Sequence, residues 1–136
     1  MSRLAGHYCW VESQLFEILG AWLHECSDPD LVVLLGERCT RHGEHAQAWA
    51  QRIAAIPTID AASFIAPSGA DAVSMARLRA LDGDVSSRVA VLEDEVLPGL
   101  VSTYRAHRAL VDPLVDGPTA RLLDAVIAAD AATLSH

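Results

Sequence analysis

Two histidines, His42 and His45, lie one helical turn apart in the segment from residue 31 to residue 53. Read as a helix, this segment places both imidazoles on the same face as Leu35 and Trp49, the apolar face that should point into a core. A buried imidazole needs a hydrogen-bond partner or a metal ion. The spacing therefore makes this pair the first candidate for chemistry in the chain.

A carboxylate from the preceding segment is expected to meet these histidines. Tyr8, Glu12 and Leu15 recur at helical spacing, and the break at residues 27–30 is so short that the two helices must be antiparallel. The numbers of facing residues then sum to about 55, which places Glu12 opposite the gap between His42 and His45. One carboxylate with two histidines is the ligand set of many non-haem iron sites. The alternative is a metal-free, hydrogen-bonded cluster in the core.

The composition indicates an all-helical fold in one domain, residues 1–136. Hydrophobic residues make up 51% of the chain, and Gly and Pro are grouped between long Ala- and Leu-rich runs. The periodicity predicts helices over about residues 4–26, 29–53, 71–81, 85–111 and 117–134. Asp28 is the predicted cap of the second helix, and the segment Asp82-Gly83-Asp84 offers a cap for the fourth. Pro98 predicts a kink in the fourth of these helices. Its apolar stripe is predicted as Val85, Val89, Leu92, Val96, Leu100 and Tyr104.

The connection from residue 57 to residue 84 has a topological consequence. It is long enough to return along the second helix, so that the second and third long helices run parallel. We therefore predict a four-helix bundle with one long crossover between the second and third helices.

With these features the chain resembles the ferritin-like superfamily, in particular its small bacterial proteins. In that superfamily a Glu on the first and third helices and a Glu-x-x-His on the second and fourth hold two irons. The resemblance implies a metal held by Glu12, His42 and His45 and assisted by Glu93, although His42 stands where the superfamily has a bridging Glu. It implies iron as the cofactor, with manganese and zinc left open, and an oxidase or hydroxylase acting on a small molecule.

The second half of the chain departs further from the superfamily pattern. If the last two helices are antiparallel about a turn near residue 114, the numbers of facing residues sum to about 229. Glu93 would then face His136, and Asp130 would face Gly99. Thr133 stands where a motif ending at His136 would have its Glu. We therefore predict one metal ion at the first half-site. The candidates for an additional site are Asp130, His136, His107 and Tyr104, and His107 is otherwise a core or interface histidine.

Charge and motif content argue against several function classes. The 18 acidic residues exceed the 10 basic ones, all Arg, and a net charge of -8 disfavours nucleic acid as a partner. No apolar run approaches the length of a membrane span and the first residues lack a signal-peptide pattern, so we expect a cytoplasmic protein with no membrane partner. The three cysteines have no zinc-like spacing and are predicted to be reduced packing residues.

The aromatic residues cannot all lie on the narrow apolar stripes that face the core. We therefore predict that some of them form the contact of a homodimer. His7 and His24 are predicted at the surface. The competing hypothesis for function is a metal-free dimeric bundle that binds a small molecule or a protein partner. An iron-storage subunit is a third hypothesis, which the incomplete second half-site disfavours.

Overall fold

The computed structural model describes residues 2–55 and 64–134. All regular structure within those ranges is helical, which confirms the prediction of an all-helical fold. The elements are α1 Ser2–Glu25, α2 Pro29–Ala54, α3 Gly69–Arg79, α4 Val85–Val91, a π-helical turn Leu92–Val96, α5 Leu97–Leu110 and α6 Gly117–Leu134.

The chain divides into two compact units, Met1–Arg88 and Val89–His136. The single-domain organisation and the four-helix bundle with one crossover stay predictions. Among the described residues, no helix is both long and apolar enough to cross a membrane.

The turn between α1 and α2 forms as the sequence predicts. Asp28 caps α2, and its Oδ1 accepts hydrogen bonds from the backbone N–H groups of Asp30 at 3.0 Å and Leu31 at 3.4 Å. Pro29 takes the first helical position, where a missing N–H costs nothing. This cap fixes where α2 begins and therefore how it is aligned against α1.

Two sulfur hydrogen bonds show that alignment directly. The Cys9 thiol donates to the carbonyl of Ala46 at 3.4 Å, and the Cys39 thiol donates to the carbonyl of Phe16 at 3.3 Å. The residue numbers in both pairs sum to 55. The antiparallel register predicted from the short turn is therefore confirmed.

The pair of helices is held by an apolar interior. Leu15 and Leu19 of α1 and Leu35, Trp49 and Ile53 of α2 are completely buried. Each such side chain contributes about 1.5–3 kcal/mol relative to an exposed one. The polar side chains between the two helices are therefore surrounded by a well-packed apolar interior.

The segment that follows the undescribed residues 56–63 packs against the start of α1. Gly6 lies so close to the backbone of Phe64 that a Cβ at this position would overlap the Phe64 carbonyl oxygen. His7 is half-buried here, with its Nδ1 2.7 Å from the carbonyl oxygen of Ala66. The contact with Ala66 was not predicted, because the sequence gives no sign that this segment returns to α1.

Residues 85–110 are helical throughout, but the predicted stripe fails in the middle. Val85, Val89 and Leu92 are buried as predicted, whereas the next buried residues are Leu97 and Val101 rather than Val96 and Leu100. The cause is the π-helical turn, in which the Leu97 N–H donates to the Leu92 carbonyl five residues back. Pro98 follows directly and has no N–H to continue an α-helical ladder.

In the second unit, α5 and α6 pack against each other. Asp116 caps α6 by accepting a hydrogen bond from the Thr119 N–H at 3.2 Å. Arg108 of α5 donates from Nε to Asp124 of α6 at 2.8 Å. The numbers of this pair sum to 232, which is three positions from the predicted register of about 229.

Candidate metal centre

Glu12 lies between the two histidines, as the register predicts. Its Oε2 is 2.6 Å from His42 Nδ1, and its Oε1 is 3.4 Å from His45 Nδ1. A carboxylate can only accept, so the imidazoles donate from Nδ1. Each carboxylate oxygen thus faces a different histidine, and the three side chains form one cluster between α1 and α2.

The cluster is almost completely removed from solvent. The side chain of Glu12 is 0% exposed and that of His42 1%, whereas that of His45 is 11% exposed. Three polar groups are seldom buried together without a strong mutual interaction or an ion. The remaining access from solvent is at His45.

Burial by itself would raise the pKa of the Glu12 carboxyl, because it disfavours the charged form. The charge and hydrogen bonds of His42 and His45 outweigh that effect and hold this pKa at about 2, below the ordinary value of 4.5. Glu12 is therefore an anion at neutral pH, which is the form that binds a metal ion.

The possible metal-ligand atoms of the three side chains lie close together. Glu12, His42 and His45 each offer one ligand atom, and the three atoms lie within 4.8 Å of one another. Two donors on opposite sides of an ion would be at most about 4.2 Å apart, since nitrogen and oxygen ligands bind zinc at about 2.0–2.1 Å. The observed separation is of the same order, so these three residues could hold a metal ion. Two imidazoles with one carboxylate suit iron, zinc and similar transition metals better than Mg²⁺ or Ca²⁺.

An aromatic pair that the sequence analysis missed lies next to the cluster. Tyr8 is one turn before Glu12, and Trp49 is one turn after His45. Their ring centroids are 5.0 Å apart, and both rings are buried. Burial, reinforced by the charge of Asp71, raises the pKa of Tyr8 to about 12. The helical spacing from Glu12 and His45 was the signal that could have found this pair.

Cys9, which is also buried, lies one turn from Glu12 on α1. Burial raises the pKa of its thiol, and the negative charge of Glu12 contributes in the same direction. Cys9 is thus a neutral thiol that donates to a carbonyl, in agreement with its predicted role as a packing residue.

The other predicted site residues belong to the second unit or lie outside the described residues. Glu93 is half-buried in the π-helical turn, and its role as an assisting ligand stays a prediction. Tyr104 and Asp130 are 0% exposed and His107 is 6% exposed. Burial lowers the pKa of His107, which agrees with a core histidine. The predicted contact between Glu93 and His136 falls outside the described residues.

Among the described residues, one group of His, Cys, Asp or Glu side chains has its ligand atoms clustered in this way, and it is Glu12, His42 and His45. The candidate additional site of Asp130, His136, His107 and Tyr104 includes His136, which lies outside the described residues, and so this site stays a prediction. The second half-site remains a prediction from the resemblance alone.

Comparisons with protein-family models, with curated proteins and with solved structures return no match to this chain. The geometry of the Glu12, His42 and His45 cluster is therefore the basis on which function is inferred.

Proposed function

We propose that this protein binds one divalent transition-metal ion through Glu12, His42 and His45, with iron as the first candidate and manganese or zinc as the others. The observation that carries the proposal is the convergence of three buried donor atoms within 4.8 Å in the first helix pair. A bound iron would supply oxidation chemistry, with coordination positions left for oxygen or a substrate. The reaction class we propose is the oxidation or hydroxylation of a small molecule.

The roles of the protein groups follow from their positions. Glu12 contributes the negative charge, and the two imidazoles contribute neutral nitrogen donors from a single helical turn. The nearly closed surroundings exclude bulk water, which strengthens electrostatic interactions at the site. We further propose a ferritin-like bundle with one crossover, in which Glu93 assists the ion, and a homodimer as the assembled form.

Metal content is the decisive measurement. We would express the untagged chain in iron-supplemented cells, purify it without chelator and measure metals by inductively coupled plasma mass spectrometry. We expect close to one iron, manganese or zinc per chain in the wild type and loss of the metal in the double variant Glu12→Ala, His45→Ala. The matched control is His24→Ala, because His24 is an exposed histidine of the same helix pair.

Two further measurements are needed to interpret the metal content. Circular dichroism shows whether the double variant remains helical. Thermal unfolding detects a bound ion because an ion that binds only the folded protein raises its stability. An ion present at 100 times its dissociation constant should stabilise the wild type by about 2.7 kcal/mol. A wild type that binds no metal, or a folded double variant that retains it, would show that the proposal is wrong.

A second candidate function is supported by a groove on the α1–α2 pair. The groove has a volume of about 520 Å³, within the range of small-molecule sites. In this alternative the protein is a metal-free bundle that binds a small molecule or protein, and the Glu12 cluster is structural. Metal content distinguishes the metal-binding protein from the metal-free bundle. A very large species in size-exclusion chromatography would instead support the hypothesis of an iron-storage subunit. The groove is lined by Ser13, Phe16, Glu17, Thr40, Gly43, Glu44, Ala46 and Gln47.

A further inference from the structure

The groove on the α1–α2 pair has an aromatic wall that is open to solvent. Gly43 of α2 has no side chain, and a Cβ at this position would lie 2.9 Å from Cδ2 of Phe16. The ring of Phe16 therefore lies next to the backbone of α2 at Gly43, and this residue is 47% exposed. An exposed ring in a groove provides an apolar contact surface for a ligand.

The polar atoms of the groove mostly accept hydrogen bonds. The Ser13 hydroxyl donates its hydrogen to the backbone carbonyl four residues before it at 2.8 Å, so its oxygen can only accept from a ligand. Glu17 and Glu44 contribute carboxylates, which also only accept. Thr40 and Gln47 can donate or accept. Hydrogen-bond donors on a ligand would therefore match the acceptors that line the groove.

The charges at the groove are acidic, and one of them is not compensated. Among the described residues that line it, none is Lys, Arg or His. Glu17 pairs with Arg79 of α3 at 3.1 Å. No ion pair or hydrogen bond between described residues involves the Glu44 carboxylate. Glu44 therefore gives the groove that contains the Phe16 ring a net negative charge.

These features distinguish between possible occupants. An ammonium group is attracted both by a carboxylate and by the face of an aromatic ring, and an alkyl chain attached to it would cover the apolar surface. A second copy of the chain matches less well, because a symmetric contact through this surface would place the acidic groups of one copy near those of the other. A groove of about 520 Å³ has the size of a small-molecule site.

We infer that this groove binds a small organic cation, an alkylammonium compound whose charge lies at Glu44 and whose apolar part lies against Phe16. The inference names the class of ligand for the second candidate function. It is also compatible with a metal ion at Glu12, because none of the three proposed metal ligands lines the groove.

The test compares hexylammonium with hexanol, which has the same alkyl chain without the charge. Each probe is titrated into the ¹⁵N-labelled full chain, and the backbone amide shifts of Gly43 and Glu44 give the position and the affinity of binding. We expect hexylammonium to bind at least fivefold more tightly than hexanol, since the carboxylate and the ring both attract the cation.

Two variants and a matched control locate the interaction. Glu44→Gln should reduce the preference for hexylammonium to less than twofold and leave hexanol binding unchanged. Glu37→Gln is the control, because it removes the same charge from an exposed position of α2 that does not line the groove, and it should leave the preference unchanged. Thr40→Trp should weaken binding of both probes at least fivefold, because an indole at this exposed lining position fills the groove.

Several results would overturn the inference. These are groove amides that neither probe shifts, a preference for hexylammonium that persists in Glu44→Gln, and binding that Thr40→Trp leaves unchanged. Shifts of the same amides that depend on protein concentration without any probe would assign the groove to a second copy of the chain, and would also overturn it. The titration is made on the Zn²⁺-treated and the chelator-treated chain, while metal content tests the Glu12 cluster separately. Either proposal can therefore fail without the other.

Discussion

Replacing Glu12 by Gln should make the stability of the metal-free protein depend much less on pH. The carboxyl group has a pKa of about 2 in the folded protein against an ordinary value of 4.5. A pKa lowered by folding contributes stability above the unfolded value, and that stability is lost as the pH falls through the folded value. The difference corresponds to about 3 kcal/mol at pH 7 and about 1 kcal/mol at pH 3.

The structure gives an independent reason for a loss of this size. Glu12 is completely buried, and its two oxygens face His42 and His45. Removing one partner of such a buried charged group typically costs about 3–5 kcal/mol. A glutamine keeps the volume and one acceptor oxygen, so the lower end of that range applies to Glu12→Gln.

Urea unfolding in the presence of chelator, followed by circular dichroism from pH 7 to pH 3, measures the effect. We expect the wild type to exceed Glu12→Gln by about 3 kcal/mol at pH 7, with most of that difference lost between about pH 5 and pH 3. Glu44→Gln, an exposed acid between the two histidines, is the control and should show no comparable change. A difference between wild type and Glu12→Gln that is the same at pH 5 and pH 3 would refute the reasoning.

Two glycine substitutions test the packing of α1. Gly6→Ala should cost about 2 kcal/mol or more, because its Cβ would overlap the carbonyl oxygen of Phe64 and a backbone cannot turn aside; an unchanged urea midpoint would contradict this contact. Gly43→Ala places a Cβ 2.9 Å from Cδ2 of Phe16, but that ring is 47% exposed and can rotate. The gain of about 1 kcal/mol in helix propensity should then leave the melting temperature unchanged or higher, and a clear decrease would show that the Phe16 ring is fixed.

The register of the first helix pair could be predicted from sequence because it depends on local features. A short turn, a capping Asp28 and a regular apolar stripe are sufficient to align Glu12 with His42 and His45. The structure confirms that alignment through two independent thiol hydrogen bonds. The core of the candidate site was therefore accessible from residue types and spacing alone.

The features that could not be predicted depend on contacts between distant parts of the chain or on a local change of helix type. Residues 64–66 pack against Gly6 and His7 of α1. The hydrogen bond between His7 and Ala66 connects residues that are 59 positions apart, and no hydrophobic periodicity predicts such a contact. The contact between Tyr8 and Trp49 could be predicted only once the alignment of α1 against α2 was known.

The π-helical turn at Leu92–Val96 changes how residues 85–110 should be compared with other helices. In structural terms it is an insertion of one residue in an otherwise continuous helix. A helical wheel drawn at 100° per residue is correct as far as Leu92 and then assigns Val96 and Leu100 to the interior in place of Leu97 and Val101. An alignment with an uninterrupted helix must therefore open a one-residue gap between Leu92 and Leu97. Without that gap, the buried Leu97 and Val101 would be equated with residues of a different face.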